Sequence, residues 1–138
     1  MAPIDLNGVW KLEKNENLDE FLKALKLNIM VRKMAASATP VLEITQNGDD
    51  FKVLTKGMRT NEAVFTVGQE FTNKNPMNEK ETSTYLAVWD GDKLKIENKS
   101  HPEAIHVVRE LVDGKMVQRS TIGTGDKAVT STRTFGKK

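Results

Sequence analysis

The apolar positions change their period part-way along the chain. Between Asn17 and Pro40 they recur every three or four residues: Leu18, Phe21, Leu22 and Leu25, then Ile29, Val31, Met34 and Ala35. That spacing gathers each set on one face of a helix. Asn17 suits an N-cap, Glu20 follows three residues later as in a capping box, and Asp19 and Glu20 suit the positive helix end. Asn28 offers a second cap, and Pro40 closes the region. The pattern predicts two short helices in tandem over residues 17–36, roughly ten residues each.

The flanking texture is different. Ile4 to Leu12 reads as a short strand. From Val41 onward, short apolar/polar alternations are broken by turn residues: Asn47-Gly48, Gly68, Asn75-Pro76, Asp90-Gly91, Asp113-Gly114 and Gly123-Thr124-Gly125-Asp126. Breaks at intervals of roughly ten residues predict an antiparallel up-and-down meander closing into a barrel or sandwich. Gln46-Asn47-Gly48-Asp49 has the strongest hairpin signature. A helix pair followed by many strands cannot line the whole sheet, but it can cap one end of a barrel. A small barrel holds one ligand. The 138 residues suit one domain with one core, and no linker, repeat or low-complexity tract divides residues 1–138.

Composition narrows the function classes. With 38% hydrophobic and 29% charged residues the chain reads as globular rather than disordered. A net charge of +2 is no nucleic-acid footprint, though it favours an anionic ligand or membrane surface. With no Cys there is neither a disulfide frame nor thiolate chemistry. The N-terminal MAPIDLNGVWKLEK lacks the apolar centre of a signal peptide, and no stretch reaches membrane-spanning length, so the expected location is the cytoplasm, with nuclear entry open.

Gly8-Val9-Trp10-Lys11-Leu12 and Glu16-Asn17-Leu18-Asp19-Glu20-Phe21-Leu22-Lys23-Ala24-Leu25 resemble the N-terminal signature of the intracellular lipid-binding proteins, which include fatty acid-binding and cellular retinoid-binding proteins. The resemblance continues through Arg32-Lys33, Pro40, Asn47-Gly48-Asp49, Asn61-Glu62 and Val67-Gly68-Gln69-Glu70-Phe71. It resumes at Val108 to Lys115 and ends at Thr132-Arg133-Thr134-Phe135, covering essentially the whole chain. Leu18 departs from the family's usual Phe or Tyr. The implied fold is all-β: a ten-stranded antiparallel up-and-down barrel, flattened like a clam, with a two-helix lid beside the ligand portal.

The same resemblance implies the site. Arg133 and Phe135 share one face of the last strand, where the family has Arg and Tyr pointing into the cavity, and Arg109 matches the family's second arginine. A guanidinium stays charged and offers a planar fork to a carboxylate. Phe135 keeps the ring but loses the phenolic donor; Gln118 and Ser131 are candidates to replace it by strand parity. Leu18, Phe21, Leu22, Ala35, Pro40, Thr55 and Met58 match chain-contacting or portal positions. Lys23, Arg32 and Lys33 match a basic trio that in some members resembles a nuclear-import signal; the plainer reading is a solvated helix face. The final hairpin runs longer than is usual in the family, with Gly123 to Asp126 expected to form an extended turn.

These readings imply reversible transport of a long-chain fatty acid, its carboxylate held by Arg109 and Arg133. A retinoic-acid carrier and a shuttle delivering lipid to a nuclear receptor are the alternatives. The resemblance implies a monomer without cofactor that makes transient membrane contact; Lys23 and Lys33, with Lys26, are placed to touch an anionic surface. His101 and His106 have opposite strand parity, against shared metal ligation. No G-x-S-x-G, P-loop or G-x-G-x-x-G motif occurs, which leaves an enzyme without support.

Overall fold

The computed structural model describes residues 2–57, 60–75, 78–100 and 105–138, with side chains throughout except at 74–81. The chain runs β1 (Gly8–Glu16), α1 (Leu18–Ala24), α2 (Ile29–Ser37), β2 (Val41–Asn47), β3 (Asp50–Lys56), β4 (Asn61–Thr66), β5 (Glu70–Asn75), β6 (Asn78–Asp90), β7 (Lys93–Asn98), β8 (His106–Val112), β9 (Lys115–Ile122) and β10 (Val129–Lys137). A single 3-10 turn, Gly125–Lys127, lies between β9 and β10, where the sequence predicts an extended turn.

All pairings are antiparallel, and the sheet order is β4-β3-β2-β1-β10-β9-β8-β7-β6-β5. Neighbours in sequence are therefore neighbours in space, and β1 pairing with β10 brings the two halves together. The edges, β4 and β5, come from consecutive segments, so the ten strands form a nearly closed barrel. The expected turns set this register. At Asp113-Gly114 both residues have positive φ, 51° and 79°, the requirement of the tight turn that matches strand twist.

Two local expectations change. The first strand begins at Gly8 rather than Ile4, because the preceding segment is latched by side chains: Leu6 N donates to Gln46 Oε1 (2.7 Å) and Gln46 N donates to Asn7 Oδ1 (2.7 Å). Asn17 does not cap α1. Its φ is 61°, and its Nδ2 donates to Thr130 O at 3.0 Å. One residue separates β1 from α1, and the abrupt reversal takes a left-handed conformation that Asn tolerates. Asn28 does cap α2, with Oδ1 accepting from Val31 N at 3.0 Å.

One core fills the end of the barrel away from the helices. Leu6, Trp10, Leu94, Met116 and Phe135 are its most enclosed members. Trp10 Nε1 donates to Leu6 O at 2.9 Å, satisfying a polar atom that burial would otherwise penalise. A smaller cluster of Phe21, Leu22 and Ile122 lies under α1. Helix α2 buries none of its residues; Ile29, Met30 and Met34 are 57%, 73% and 55% exposed, so the apolar stripe read from its sequence largely faces outward.

Candidate functional site

Strand register draws four polar residues into one row on the inner wall. Arg109 on β8 pairs with Gln118 on β9, Gln118 pairs with Arg133 on β10, and Arg133 pairs with Asn15 on β1. Facing follows from the period of two. Arg109 shares its strand face with Leu111, and Arg133 shares its with Ser131 and Phe135, which are both buried.

Each arginine is held at Nε by a neutral amide. Arg109 Nε donates to Gln118 Oε1 at 3.1 Å, and Arg133 Nε donates to Asn15 Oδ1 at 2.8 Å. Arg109 is only 9% exposed, and burial pulls its pKa down to about 10; the group remains a cation at neutral pH. Burial lowers the pKa of Arg133 as well. Among the described residues neither guanidinium has a carboxylate partner, whereas Arg32 and Arg119 are ion-paired to Asp19 and Glu110. Ser131, 1% exposed, has an Oγ without a hydrogen-bond partner among the described residues.

Arg109 lines a cavity of about 110 Å³. Its apolar wall is Val53, Ala63, Phe65, Phe71 and Ile96, and its polar wall adds Thr55, Asn61, Asn73 and Tyr85. No Asp or Glu lines it among the described residues. The phenol of Tyr85 is kept protonated, its pKa raised by burial. Opposite the polar row runs a file of rings: Phe51 stacks on Phe65 (5.2 Å), Phe65 on Phe71 (5.0 Å) and Phe71 on Tyr85 (5.6 Å). This file crosses the β4/β5 edge.

The residues singled out from sequence fall into four places. Arg109, Gln118, Arg133 and Ser131 share the inner wall around the row, and Thr55 lines the cavity. Phe135 lies in the core, 1% exposed, opposite Leu12 and Met116, and does not line this cavity; without a hydroxyl it packs as a plain hydrophobe. Leu18, Phe21, Leu22 and Ala35 gather in the cluster beneath the helices. Pro40 is buried, its carbonyl accepting from Leu12 N at 3.1 Å. Met58 lies outside the described residues.

The basic trio is partly neutralised. Lys23 pairs with Asp19 (3.5 Å) and Glu20 (3.3 Å), and Arg32 Nε with Asp19 (2.9 Å), leaving Lys33 exposed. His101 lies outside the described residues, while His106 Nδ1 accepts from Asn98 N at 3.4 Å. No cluster of three or more His, Cys, Asp or Glu able to hold a metal occurs among the described residues. Asn15, Asn61, Asn73, Phe65, Phe71 and Tyr85 were not picked out by sequence as site residues. Tyr85, the chain's single Tyr on an alternating strand, carried a signal that could have found it.

Residues 7–138 match the family model described as the lipocalin / cytosolic fatty-acid binding protein family. The chain belongs to that family. Among curated relatives of the family, the chain is 38% identical over 113 residues to "Sodium/calcium exchanger regulatory protein 1" of Doryteuthis pealeii, covering 81% of this chain and 83% of that one. It is also 38% identical over 103 residues to "Retinol-binding protein 1" of Rattus norvegicus, covering 73% and 76%. Among solved structures it is similar to the "REP1-NXSQ fatty acid transporter", with a TM-score of 0.83 and 32% identity over 97% of this chain and 96% of that one. This lipid-binding family thus includes relatives named for fatty acids and for retinol. No described helix is long and apolar enough to cross a membrane.

Proposed function

We propose that the chain is a carrier that takes one long-chain fatty acid, or a similar lipid carboxylate, into the barrel with its headgroup between Arg109 and Arg133. The observation that carries this reading is the Arg109 guanidinium: buried, on a cavity wall without acids, and without a carboxylate partner among the described residues. An unpaired buried cation is costly, and an incoming carboxylate offsets that cost. Retinol would bring an alcohol with no charge to match. Retinoic acid, a carboxylate, is the second reading, favoured by the same guanidinium.

The acyl chain supplies most of the affinity, about 0.8 kcal/mol per buried methylene. A cavity of about 110 Å³ is small beside the roughly 300–1,000 Å³ of typical ligand pockets. Uptake therefore widens it, and Phe65, Phe71 and Tyr85 are the side chains whose movement makes room. The ligand is carried unchanged, since among the described residues no nucleophile–base pair accompanies the arginines, and the working compartment is the cytoplasm. A nuclear role is the weaker proposal, because Lys23 and Arg32 already engage acidic partners on the helices.

Titration of the purified chain with oleate and with retinoic acid, followed by extraction and identification of the bound molecule, tests the reading. One submicromolar equivalent recovered unchanged is expected. A chain that takes up neither acid would overturn it.

A further inference from the structure

The cavity beside Arg109 is more polar than a hydrocarbon chain requires. Thr55, Asn61, Asn73 and Tyr85 share its lining with five apolar residues, and each offers an uncharged amide or hydroxyl. Strand register shows how they gather. Between β3 and β4 the inward pairs read Phe51 with Phe65, Val53 with Ala63, then Thr55 with Asn61. Across the β4/β5 boundary they read Phe71 with Tyr85, then Asn73 with Ser83, the last only 1% exposed. On both sides the inner face turns from rings to neutral polar groups in the same direction, toward the C-terminal ends of β3 and β5.

These groups hang from strands other than those of the arginines. β6 and β5 are two and three strands from β8, about 10 and 14 Å along the wall. A carboxylate held by Arg109 is compact, and it leaves that side of the cavity facing the ligand's chain. Among the described residues Arg109 is the sole charged group in the lining, so the opposite side matches neither a second acid nor an amine. An alcohol matches it, because a hydroxyl both donates and accepts, as the amides and hydroxyls of this wall do.

We propose that the preferred ligand is an oxygenated fatty acid, with a hydroxyl part-way along its chain received by Thr55, Asn73 and Tyr85 and with Asn61 at the exposed rim. This inference rests on the carboxylate-carrier reading above and adds the class of lipid. Its physical signature is a reversal of sign. Burying a hydroxyl against hydrocarbon costs free energy, so an apolar cavity takes the plain acid more tightly. A wall of polar groups able to turn to the ligand takes the hydroxy acid more tightly.

Oleate and ricinoleate make the test, since they differ by one mid-chain hydroxyl. Both are titrated calorimetrically into the wild type and into Thr55→Val, Asn73→Leu and Tyr85→Phe, each variant checked for an unchanged far-UV spectrum. The wild type is expected to bind ricinoleate about fivefold to tenfold more tightly than oleate, the net worth of one hydrogen bond. In the variants that ratio should fall toward one, most of all in Asn73→Leu, which removes donor and acceptor together. The ratio is the readout because a change in chain packing alters both lipids alike, and the wild-type ratio stands even where a variant does not fold. A wild type that binds oleate as tightly as ricinoleate, or more tightly, would overturn the inference and leave the carrier reading intact, the polar wall then serving water alone. A preference for ricinoleate that survives in all three variants would overturn the hydroxyl site. A wild type that binds neither acid would instead remove the carrier reading and this inference with it.

Discussion

Two walls of the barrel are built on the same plan with opposite chemistry. On β8, β9, β10 and β1 the inward row reads Arg109, Gln118, Arg133, Asn15. On β3, β4, β5 and β6 it reads Phe51, Phe65, Phe71, Tyr85. Each row takes one side chain from each of four neighbouring strands. The ring row is complete in itself, since every ring stacks on the next and each pair adds roughly 0.5–1.5 kcal/mol beyond burial. The cation row is incomplete, because its amides satisfy each guanidinium at Nε without matching its charge. One wall is matched within itself, and the other carries charge that the described residues leave unmatched.

That contrast is open to direct attack. Phe65→Ala should have the largest effect, a loss of about 3–5 kcal/mol in urea unfolding, because Phe65 links Phe51 to Phe71 and its removal leaves a cavity. Arg109→Leu should act the other way. The ligand-free barrel should gain about 2 kcal/mol, as buried charges replaced by hydrophobes often do, while selectivity for oleate over oleyl alcohol disappears. The sign also depends on pH. Burial depresses the folded pKa of Arg109 to about 10, so above that pH the unfolded chain binds more protons than the folded one. Wild-type stability should therefore rise relative to Arg109→Leu as pH increases through 10 toward 12, and the gap between their melting temperatures should narrow.

Arg133→Ala should weaken oleate binding by at least about tenfold, near 1.4 kcal/mol, with little change in oleyl alcohol binding. The smallest expected effect lies outside both walls. Asn28→Ala should cost about 1 kcal/mol of stability by removing the cap on Val31 N, read as a shift in urea midpoint at constant slope.

The residue pattern disclosed much of this. Turn residues located the β2/β3, β6/β7 and β8/β9 hairpins because Gly, Asn and Asp supply the backbone conformations that tight reversals need. Strand parity aligned Gln118 with the face of Arg133. Asn15 was hidden for a physical reason. β1 carries an irregularity between Leu12 and Lys14, so counting by twos from the buried Leu12 would put Lys14 inside, whereas Asn15 is the residue that meets Arg133. Asn17 satisfied the composition of a capping box, but composition does not reveal how sharply the preceding strand must reverse. The stripe on α2 showed where a helix forms and left open what lies opposite it, since that depends on the distant strands. The cavity's ring file was equally non-local, being assembled from four strands whose aromatic residues each look like ordinary core.

The boundary between β4 and β5 sets how the circumference can change. No ladder joins these two strands among the described residues, and the stacked rings of Phe65 and Phe71 bridge them at 5.0 Å. Parting this one ring pair forfeits roughly 0.5–1.5 kcal/mol, whereas opening a ladder forfeits about 1 kcal/mol for each of its several bonds. Breathing of the barrel should concentrate at this seam, and deuterium should enter the edge amides of β4 and β5 before those of β9 and β10. A girdle with one soft stitch can admit a guest of variable girth and close again without unpicking the rest of its weave.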